Sequence, residues 1–468
     1  MTLIDTDDHL SSAVADIANA IGGNKLRTGT AIADLNPGED PDNLGTFAVV
    51  SPTSTADVAA IVRICGRYKI PIVAHGGRTG LAGGGISNRH ELVVSLQNMR
   101  QIEEINPIEG VAVVQAGATL QSLQAAALGH GLEPGIDLAS RGSATIGGMI
   151  STNAGGMMAF RNGVMRHRVL GVEAVLPDGR VYSDMTRVIK NAAGYDLKHL
   201  FIGAEGTLGI VTRAVLRLEP VPTGTASAIF GLPTIDAALE LVRLARATGS
   251  LRAAEVMWSR YFRYASGHYG WNPSGYNGVS PLHLIVSLTG ANEAGAQGAM
   301  IGLYETALQT HGETTAVLAS SVGQEAEIWR LREDTGLIYR QYPGAPSYDI
   351  SVPLGHIDPF LRRAMSAIAR IDDGPDPFIF GHLADGNLHI VLDRPGVWLT
   401  EERREAVESI LYQGLGSVGG SFSAEHGVGS KRVPALKATA DSCKLALMGL
   451  IKDAVDPNNL FSPGKIFE

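Results

Sequence analysis

Cysteine is scarce in this sequence, and the shortage excludes several kinds of site. The 468 residues contain two cysteines, Cys65 and Cys443, which lie far apart in the chain. Two thiols cannot form a disulfide framework, ligate an iron–sulfur cluster or build a zinc site from thiolates. The chemistry of the chain must therefore be sought in other side chains.

Long apolar runs are also missing. No stretch of about 18 or more apolar residues occurs, so the sequence predicts no transmembrane segment. The first ten residues, MTLIDTDDHL, are acidic and lack the basic and apolar regions that are typical of a signal peptide. We therefore expect a cytoplasmic protein.

Positive charge is in deficit. The chain carries 38 lysines and arginines against 47 acidic residues, a formal net charge of −9. This balance argues against a nucleic-acid-binding surface. If the substrate is an anion, local arginines must bind it against the overall field.

Glycine, in contrast, is abundant and clustered. The chain has 57 glycines, and three clusters occupy residues 75–85, 142–156 and 194–209. The spacings G-x-G-x-x-G after a strand and G-x-x-x-x-G-K are both missing, which disfavours a Rossmann or P-loop site. Backbone N–H groups without Cβ bulk can form an anion-binding nest, although small residues also permit tight packing of helices on sheets. Three clusters in one region favour a phosphate-bearing cofactor.

The length of the chain predicts more than one hydrophobic core. Around residues 220–225, PVPTGT, the glycine-rich composition ends and longer helical patterns begin to alternate with strands. We therefore place a domain boundary there.

Two histidines stand in a predicted β-hairpin, FIFGHLADGNLHIVLD, which runs from Phe378 to Asp393. Asp-Gly at residues 385–386 is a strong signal for a two-residue type I′ turn. That turn would pair His382 directly with His389, with Cβ atoms about 5 Å apart on one face of the sheet. The pair can then share a metal ion, or each ring can donate to a backbone carbonyl, and the hairpin alone favours neither.

A third ligand tips the balance toward a metal. The stretch SFSAEHGVG contains Glu425 and His426 side by side, and adjacent residues of an extended segment point in opposite directions. One can ligate a metal while the other faces the same cleft. Two histidines and one glutamate leave a coordination position open, as catalytic sites require. Zn²⁺, Mn²⁺ and Fe²⁺ all accept this set of ligands.

The ordered motifs resemble a known family. HGGRTGL, GSATIGGMISTNAGG, PDGRV and KNAAGYDLKHLFIGAEGTLGIVT resemble the FAD-binding domain of the vanillyl-alcohol-oxidase-type flavoproteins. GHLADGNLH, SAEHGVG and the PGK tail resemble the C-terminal half of their D-2-hydroxy-acid dehydrogenase branch. That branch includes D-lactate dehydrogenases, D-2-hydroxyglutarate dehydrogenase and the flavoprotein subunit of glycolate oxidase.

The resemblance implies an α+β protein of three parts. Residues 1–220 would form a two-part FAD-binding domain, and residues 221–420 a substrate or cap domain with a mainly antiparallel sheet. Residues 421–468 would complete the active site and return to the FAD-binding domain. Arg78 stands where members that bond FAD covalently often carry histidine, so we expect FAD to be held non-covalently.

The resemblance also implies the residues of the site. The expected FAD contacts are Gly76, Gly77, Arg78, Thr79 and Gly80 for the pyrophosphate, Gly142, Ser143, Gly147, Gly148, Thr152 and Asn153 for the flavin and ribityl chain, and Ile210 and Val211 near the adenine. The expected metal ligands are His382, His389 and Glu425, with zinc as the first candidate and manganese as the second; His426 would be the catalytic base, and Arg332, Asn387 and Thr335 would contact the substrate.

One departure from the family bears on the substrate. The hydroxyglutarate enzymes carry a lysine for the distal carboxylate where this chain has Ser347, in PSYDISVP. Its absence favours a shorter acid, such as D-lactate, slightly over D-2-hydroxyglutarate.

Alternatives stay open at this point. The chain could be a flavoprotein subunit of a glycolate-oxidase-like complex that needs partner subunits, or a flavin-free metal-binding protein. Sugar and lactone oxidases of the same fold lack the paired histidines and the Glu-His dipeptide. No nicotinamide site is visible, so electrons would pass to an acceptor such as an electron-transfer flavoprotein or a quinone. The resemblance also makes a homodimer a common arrangement.

Overall fold

A computed structural model describes residues 4–467 of the chain, with side chains from residue 8 onward. Within that range the α-helices are α1 Ile4–Ile21, α2 Thr30–Ala33, α3 Thr55–Tyr68, α4 Leu120–Leu128, α5 Ile146–Thr152, α6 Ala159–Asn162, α7 Met165–Arg168, α8 Ile235–Ala247, α9 Ser259–Tyr269, α10 Glu293–His311, α11 Val322–Glu333, α12 Gly336–Gln341, α13 Ile357–Ile368, α14 Glu401–Tyr412, α15 Val433–Thr439 and α16 Ser442–Val455.

The strands in the same range are β1 Leu26–Thr28, β2 Ala48–Val50, β3 Ile72–His75, β4 Leu92–Ser95, β5 Ile102–Asn106, β6 Val111–Gln115, β7 Leu132–Glu133, β8 Val169–Val175, β9 Val181–Asp184, β10 Ile210–Arg217, β11 Glu219–Pro220, β12 Gly224–Leu232, β13 Leu251–Trp258, β14 Leu282–Gly290, β15 Thr315–Leu318, β16 Ser347–Ser351, β17 Phe378–His382 and β18 Asn387–Val391. The predicted α+β class is confirmed.

The described chain divides into two compact units. The first unit comprises the residues up to Gly155, Asn162–Val221 and the residues from Glu425 onward. The second unit comprises Gly156–Arg161 and Pro222–Ala424. Because each unit has its own sheets, each is described by itself below.

The first unit contains a small mixed sheet and a larger antiparallel one. The small sheet has the order β1-β2-β4-β3, in which β2 and β3 run parallel to β4 and β1 runs antiparallel to β2. Helix α3 begins after Ser54, whose side chain accepts from the Asp57 N–H, and its buried residues recur at helical spacing. The larger sheet has the order β5-β6-β10-β8-β9 and is antiparallel throughout.

The C-terminal tail docks on the edge of the small sheet. The Ile72 N–H donates to the Leu460 carbonyl, and the Ser462 N–H donates back to the Ile72 carbonyl, both at 2.8 Å. Asp456, which is 2% exposed, accepts the N–H groups of Leu460 and Phe461 at 2.9 and 2.8 Å. The carboxylate thus fixes the turn from which the tail reaches β3.

The second unit is built on one seven-stranded sheet with the order β15-β12-β14-β13-β17-β18-β16. Every neighbouring pair is antiparallel, so the predicted mainly antiparallel sheet is confirmed. An aromatic-rich core forms among Met257 and Phe380 from the sheet, Tyr261 from α9, Leu331 from α11 and Ile338 from α12. The polar residues of interest therefore lie in a sheet with one well-packed face.

The hairpin differs from its predicted register. His382 pairs with Asn387, and Phe380 pairs with His389, so residues 383–386 form a four-residue connection. The prediction of a two-residue turn with His382 directly opposite His389 was wrong. The physical reason is that the connection forms hydrogen bonds with neighbouring backbone and not across a tight turn. The Leu383 N–H donates to the Ala254 carbonyl, and the Gly386 carbonyl accepts from the Val352 N–H, both at 2.9 Å.

No helix in residues 4–467 has both the length and the apolar character needed to cross a membrane.

Candidate active site

Two rows of side chains cross four strands of the second unit on the same face. Paired residues in an antiparallel ladder project to one side of the sheet. One row reads Asp349, His389, Phe380, Met257, and the next reads Ser351, Asn387, His382, Glu255. Both histidines share a face because the register shift was two residues, and an even shift preserves the face.

His382 is held by a buried carboxylate. Glu255 on β13 is 2% exposed, and its Oε1 lies 2.6 Å from Nδ1 of His382. In a neutral ring, Nδ1–H donates to the carboxylate and the lone pair is left on Nε2. A carboxylate behind an imidazole is the usual support for a histidine that ligates a metal through its other nitrogen.

His389 has a carboxylate behind it as well. Asp349 on β16 is fully buried, and its Oδ1 lies 3.6 Å from Nδ1 of His389. The Asn387 amide donates to Asp349 Oδ1 at 2.6 Å, and the Ala424 N–H donates to its Oδ2 at 3.2 Å. Asp349 is therefore fixed by several donors of the second unit.

The two imidazoles are close enough to share an ion. Their ring centroids are 5.4 Å apart with an interplanar angle of 84°, and their ligand nitrogens lie within 4.8 Å of each other. Each ring has a buried carboxylate near its Nδ1, Glu255 for His382 and Asp349 for His389. This donor set fits a divalent metal.

Arg332 reaches the same carboxylate from α11. The guanidinium is 7% exposed, its Nη2 lies 3.0 Å from Glu255 Oε2, and its Cζ lies 4.7 Å from the Phe380 ring centroid. It is therefore a buried arginine and not the surface-helix residue that its charged sequence context allows. Its Nε is buried and has no hydrogen-bond partner in residues 4–467.

The pKa of Glu255 reflects these contacts. Burial alone would raise it, but the neighbouring charges of His382 and Arg332 hold the pKa below its ordinary value. Glu255 is thus an anion that is stabilised by two positive or polarised partners.

Asn387 and Thr335 have different environments. Asn387 is 3% exposed and its amide nitrogen is occupied by Asp349 and the Ile350 carbonyl, while its Oδ1 is buried without a partner among the described residues. Thr335 begins α12, and in the described part of the chain no hydrogen bond joins its hydroxyl to Arg332 or the histidines. The Oδ1 atom of Asn387 can therefore accept a hydrogen bond from a bound ligand.

Glu425 and His426 belong to the first unit. Arg432 Nη2 lies 3.3 Å from Nδ1 of His426. Because a guanidinium can only donate, Nδ1 is the acceptor in this contact and a neutral ring carries its proton on Nε2.

The loop that follows His426 is held by Glu205. Its carboxylate oxygens accept the N–H groups of Val428 and Gly429, each at 2.7 Å. Burial raises the pKa of Glu205, although these two N–H donors and the nearby Arg432 act in the opposite direction. Glu205 itself has a φ of 50° and donates its own N–H to Ser151, so the third glycine cluster fixes this loop.

The first two glycine clusters pack against each other. A Cβ at Gly77 would stand 1.9 Å from the Ser143 carbonyl oxygen, and a Cβ at Gly76 would stand 2.3 Å from Thr145 Oγ1. Only glycine permits this approach. Part of the glycine content therefore serves packing of the chain on itself.

The second cluster forms a short helix. Thr145 precedes α5 and its side chain accepts from the Gly148 N–H, while Asn153 ends the helix with a φ of 53°. Thr152 donates to the Gly148 carbonyl at 3.0 Å. The other expected FAD contacts lie in or near these elements. Gly142 and Ser143 precede α5, Gly147 lies within it, and Ile210 and Val211 form the buried start of β10.

The loop after β3 fits an anionic cofactor. The backbone N–H groups of residues 76–80 find no acceptor among the described residues. Arg78 has a φ of 55°, is half-buried, and has a buried Nε without a partner in residues 4–467. Free N–H groups on a loop with left-handed turns form a nest for phosphate.

His75, at the end of β3, is neutral. Its Nε2 lies 2.8 Å from the Gly85 carbonyl oxygen, and burial lowers its pKa to about 4. The residue thus adds no charge beside the nest near neutral pH.

Sequence reasoning missed Glu255, Asp349 and Glu205. Glu255 and Asp349 each interrupt an otherwise apolar strand, LRAAEVMW and SYDIS. A carboxylate that is buried in a sheet is costly unless it is paired. An acidic residue within an otherwise apolar strand could therefore have predicted both supporting carboxylates from the sequence.

Family models match most of the chain. A model described as FAD binding domain matches residues 47–184, and a model described as FAD linked oxidases, C-terminal domain, matches residues 221–466. The expected family resemblance is thereby confirmed.

Three curated relatives match over 76–94% of their own length. A D-2-hydroxyglutarate dehydrogenase of Xanthomonas citri pv. viticola is 34% identical, over 95% of this chain and 94% of the relative. The mitochondrial D-2-hydroxyglutarate dehydrogenase of Bos taurus is 32% identical over 89% of this chain and 76% of its own. A mitochondrial Schizosaccharomyces pombe protein, provisionally named D-lactate dehydrogenase, is 30% identical over 94% and 88%.

Solved structures share the fold. p-Cresol methylhydroxylase with substrate bound superposes with a TM-score of 0.78 at 18% identity, over 98% of this chain and 97% of that one. The 4-ethylphenol oxidase of Gulosibacter chungangensis superposes with a TM-score of 0.74 at 19% identity, over the same shares.

The Glu205 contacts predict the behaviour of the loop after His426. Glu205→Gln replaces one acceptor oxygen by an NH₂ group that faces a backbone N–H, so we expect faster hydrogen exchange at Val428 and Gly429. We also expect a loss of about 1–3 kcal/mol in stability. The measurements are hydrogen–deuterium exchange mass spectrometry and thermal denaturation.

Asp456→Asn is the control for exchange, because Asp456 also accepts two backbone N–H groups in the C-terminal tail, in addition to its ion pair with Lys452. It should speed exchange at residues 460–461 and leave residues 428–429 unchanged. Unchanged exchange at Val428 and Gly429 in Glu205→Gln would refute the role given to Glu205.

Proposed function

The chain belongs to the FAD-linked oxidase family, and from that membership we propose that it oxidises a D-2-hydroxy acid to the 2-oxo acid with FAD and a divalent metal. It is an oxidoreductase of the FAD-dependent D-2-hydroxy-acid dehydrogenase type. The observation that carries the metal is the histidine pair in which each ring has a buried carboxylate behind it.

His382 and His389 supply two ligands in this proposal, and Glu425 supplies the third. The Ala424 N–H donates to Asp349, which lies behind His389. Glu425 is the next residue along the chain, so its backbone begins one peptide bond from that contact. Zinc is the first candidate and manganese the second, because imidazole and carboxylate ligands accept both.

The substrate carboxylate and hydroxyl bind to different groups. Arg332 is positioned for a carboxylate, since one of its nitrogens holds Glu255 and its buried Nε has no partner within residues 4–467. The acceptor Oδ1 of Asn387 can receive a hydrogen bond from the substrate. A metal, when bound, acts as a Lewis acid that lowers the pKa of the hydroxyl.

His426 removes the hydroxyl proton in this proposal. Its lone pair lies on Nδ1, so the ring would accept the proton there, in place of the Arg432 N–H that Nδ1 now accepts. The glycine clusters would hold FAD, which would supply the two-electron acceptor for the hydrogen on C2 of the substrate. The backbone N–H groups of residues 76–80 would hold its pyrophosphate, and we expect the binding to be non-covalent.

We propose D-lactate as the preferred substrate and D-2-hydroxyglutarate as the second candidate. Ser347, at the start of β16, stands where the hydroxyglutarate enzymes carry the lysine for the distal carboxylate. The names of several relatives, in contrast, support the dicarboxylate. The electrons leave to an acceptor that is not a nicotinamide, such as an electron-transfer flavoprotein or a quinone.

Anaerobic reduction of the visible flavin band tests the proposal. The purified protein is mixed with D- and L-enantiomers of lactate, 2-hydroxyglutarate and glycerate, before and after treatment with EDTA. We expect bleaching by D-acids alone, because a site of fixed ligands distinguishes the two configurations at C2. Bleaching should be fastest with D-lactate, because Ser347 offers no charge to a distal carboxylate. EDTA should abolish the bleaching, and zinc or manganese should restore it.

Each deviation has a distinct meaning. Bleaching that survives complete metal removal would contradict the metal role of His382 and His389. Faster reduction by D-2-hydroxyglutarate would overturn the substrate preference alone. A protein that contains FAD but is bleached by none of the acids would favour a flavoprotein subunit that needs partners.

His426→Ala should keep FAD and metal but lose kcat by about 10²–10⁴-fold, the usual contribution of a general base. FAD and metal contents are measured by absorbance and elemental analysis, and kcat with a dye acceptor. The control is His356→Ala, since His356 is exposed and lies outside the site. Near-normal turnover in His426→Ala would remove this residue as the base.

A further inference from the structure

One carboxylate of the second unit serves two groups of the proposed site. Glu255 Oε1 lies 2.6 Å from Nδ1 of His382, and Glu255 Oε2 lies 3.0 Å from Arg332 Nη2. The side chain of Glu255 is 2% exposed, so both contacts are shielded from water. A single side chain thus determines where the histidine and the arginine lie relative to each other.

The surroundings of Glu255 hold this geometry rigidly. Glu255 pairs with His382 across β13 and β17, and Met257 pairs with Phe380 in the next row. Arg332 lies over the ring of that same Phe380. The carboxylate, the histidine and the arginine are therefore fixed by ladder pairing on one side and by stacking on the other.

We propose that Glu255 is the positioning residue that couples metal binding to recognition of the substrate carboxylate. Through Oε1 it fixes His382 so that a neutral ring carries its lone pair on Nε2, and through Oε2 it holds the guanidinium of Arg332 beside the same carboxylate. This inference rests on the proposed function. It adds that metal affinity and substrate affinity depend on one shared group.

A second carboxylate–arginine pair, without a histidine, joins the segment after β18 to α9. Asp393 Oδ2 lies 2.9 Å from Arg260 Nη2, and Arg260 stacks on Phe378 at 4.3 Å. Asp393 is 8% exposed, so it too is a buried carboxylate paired with a stacked arginine. Arg260 is 29% exposed and also pairs with Asp376, so Asp393→Asn controls for the loss of a carboxylate beside a stacked arginine outside the proposed site.

The test measures zinc affinity in the purified flavoprotein by competition with a chromophoric chelator. Glu255→Gln keeps the shape but cannot accept from both partners, so zinc affinity should fall by about 10–100-fold, as for other lost carboxylate supports. Arg332→Met should keep zinc affinity and raise KM. Asp393→Asn should change neither zinc affinity nor KM.

A double variant guards against misfolding, because Glu255→Gln alone leaves the charge of Arg332 buried and unpaired. Glu255→Gln with Arg332→Met removes both charges, and the proposal requires that its zinc affinity is still lowered about 10–100-fold relative to Arg332→Met. In Glu255→Gln, KM for the best acid should rise toward that of Arg332→Met.

The outcomes separate the two claims. Wild-type protein that binds no zinc or manganese would refute the metal in the proposed function. Wild-type protein that binds zinc, with Glu255→Gln binding it equally well, would overturn only the role of Glu255. A loss of zinc affinity without any change in KM would refute the coupling to Arg332.

Discussion

A buried carboxylate hydrogen-bonded to the rear nitrogen of an imidazole is the contact on which the site depends. Burying Glu255 in a β-sheet is unfavourable by itself, and its partners His382 and Arg332 offset the cost. In return, the histidine has one defined tautomer and one orientation. Asp349 Oδ1 lies 3.6 Å from Nδ1 of His389, within ion-pair range but longer than a hydrogen bond. Glu255 and Asp349 thus occupy strand positions where apolar residues would be more stable. Their carboxylates lie beside the two imidazoles whose ring nitrogens are close together.

The sequence predicted the histidine pair better than it predicted the hairpin. Alternation along a strand is local, so the shared face of His382 and His389 follows from their spacing and survives an even shift of register. The turn does not follow from Asp385 and Gly386 alone, because Leu383 and Gly386 bond to neighbouring strands. The role of Glu255 was not predicted, for a related reason. It lies 127 residues from His382 in sequence, and only strand order brings them together.

The first unit shows the two uses of glycine that its clusters allow. Gly76 and Gly77 are required because the chain passes so close to Ser143 and Thr145. The loop they begin then presents backbone N–H groups that no described acceptor satisfies. The sequence alone could not separate packing from binding, since both need small residues. Glu205, in the third cluster, has a different role, because its carboxylate holds the backbone that follows His426.

The most direct measurement is X-ray absorption spectroscopy at the metal edge of the purified protein, with elemental analysis of the same sample. The proposed function predicts one divalent metal per chain with the multiple-scattering signature of two imidazoles. His389→Ala, a substitution at the ligand itself, should remove one imidazole or the metal altogether. A metal bound without imidazole, or a protein that oxidises D-2-hydroxy acids at full rate with no divalent metal, would contradict the account.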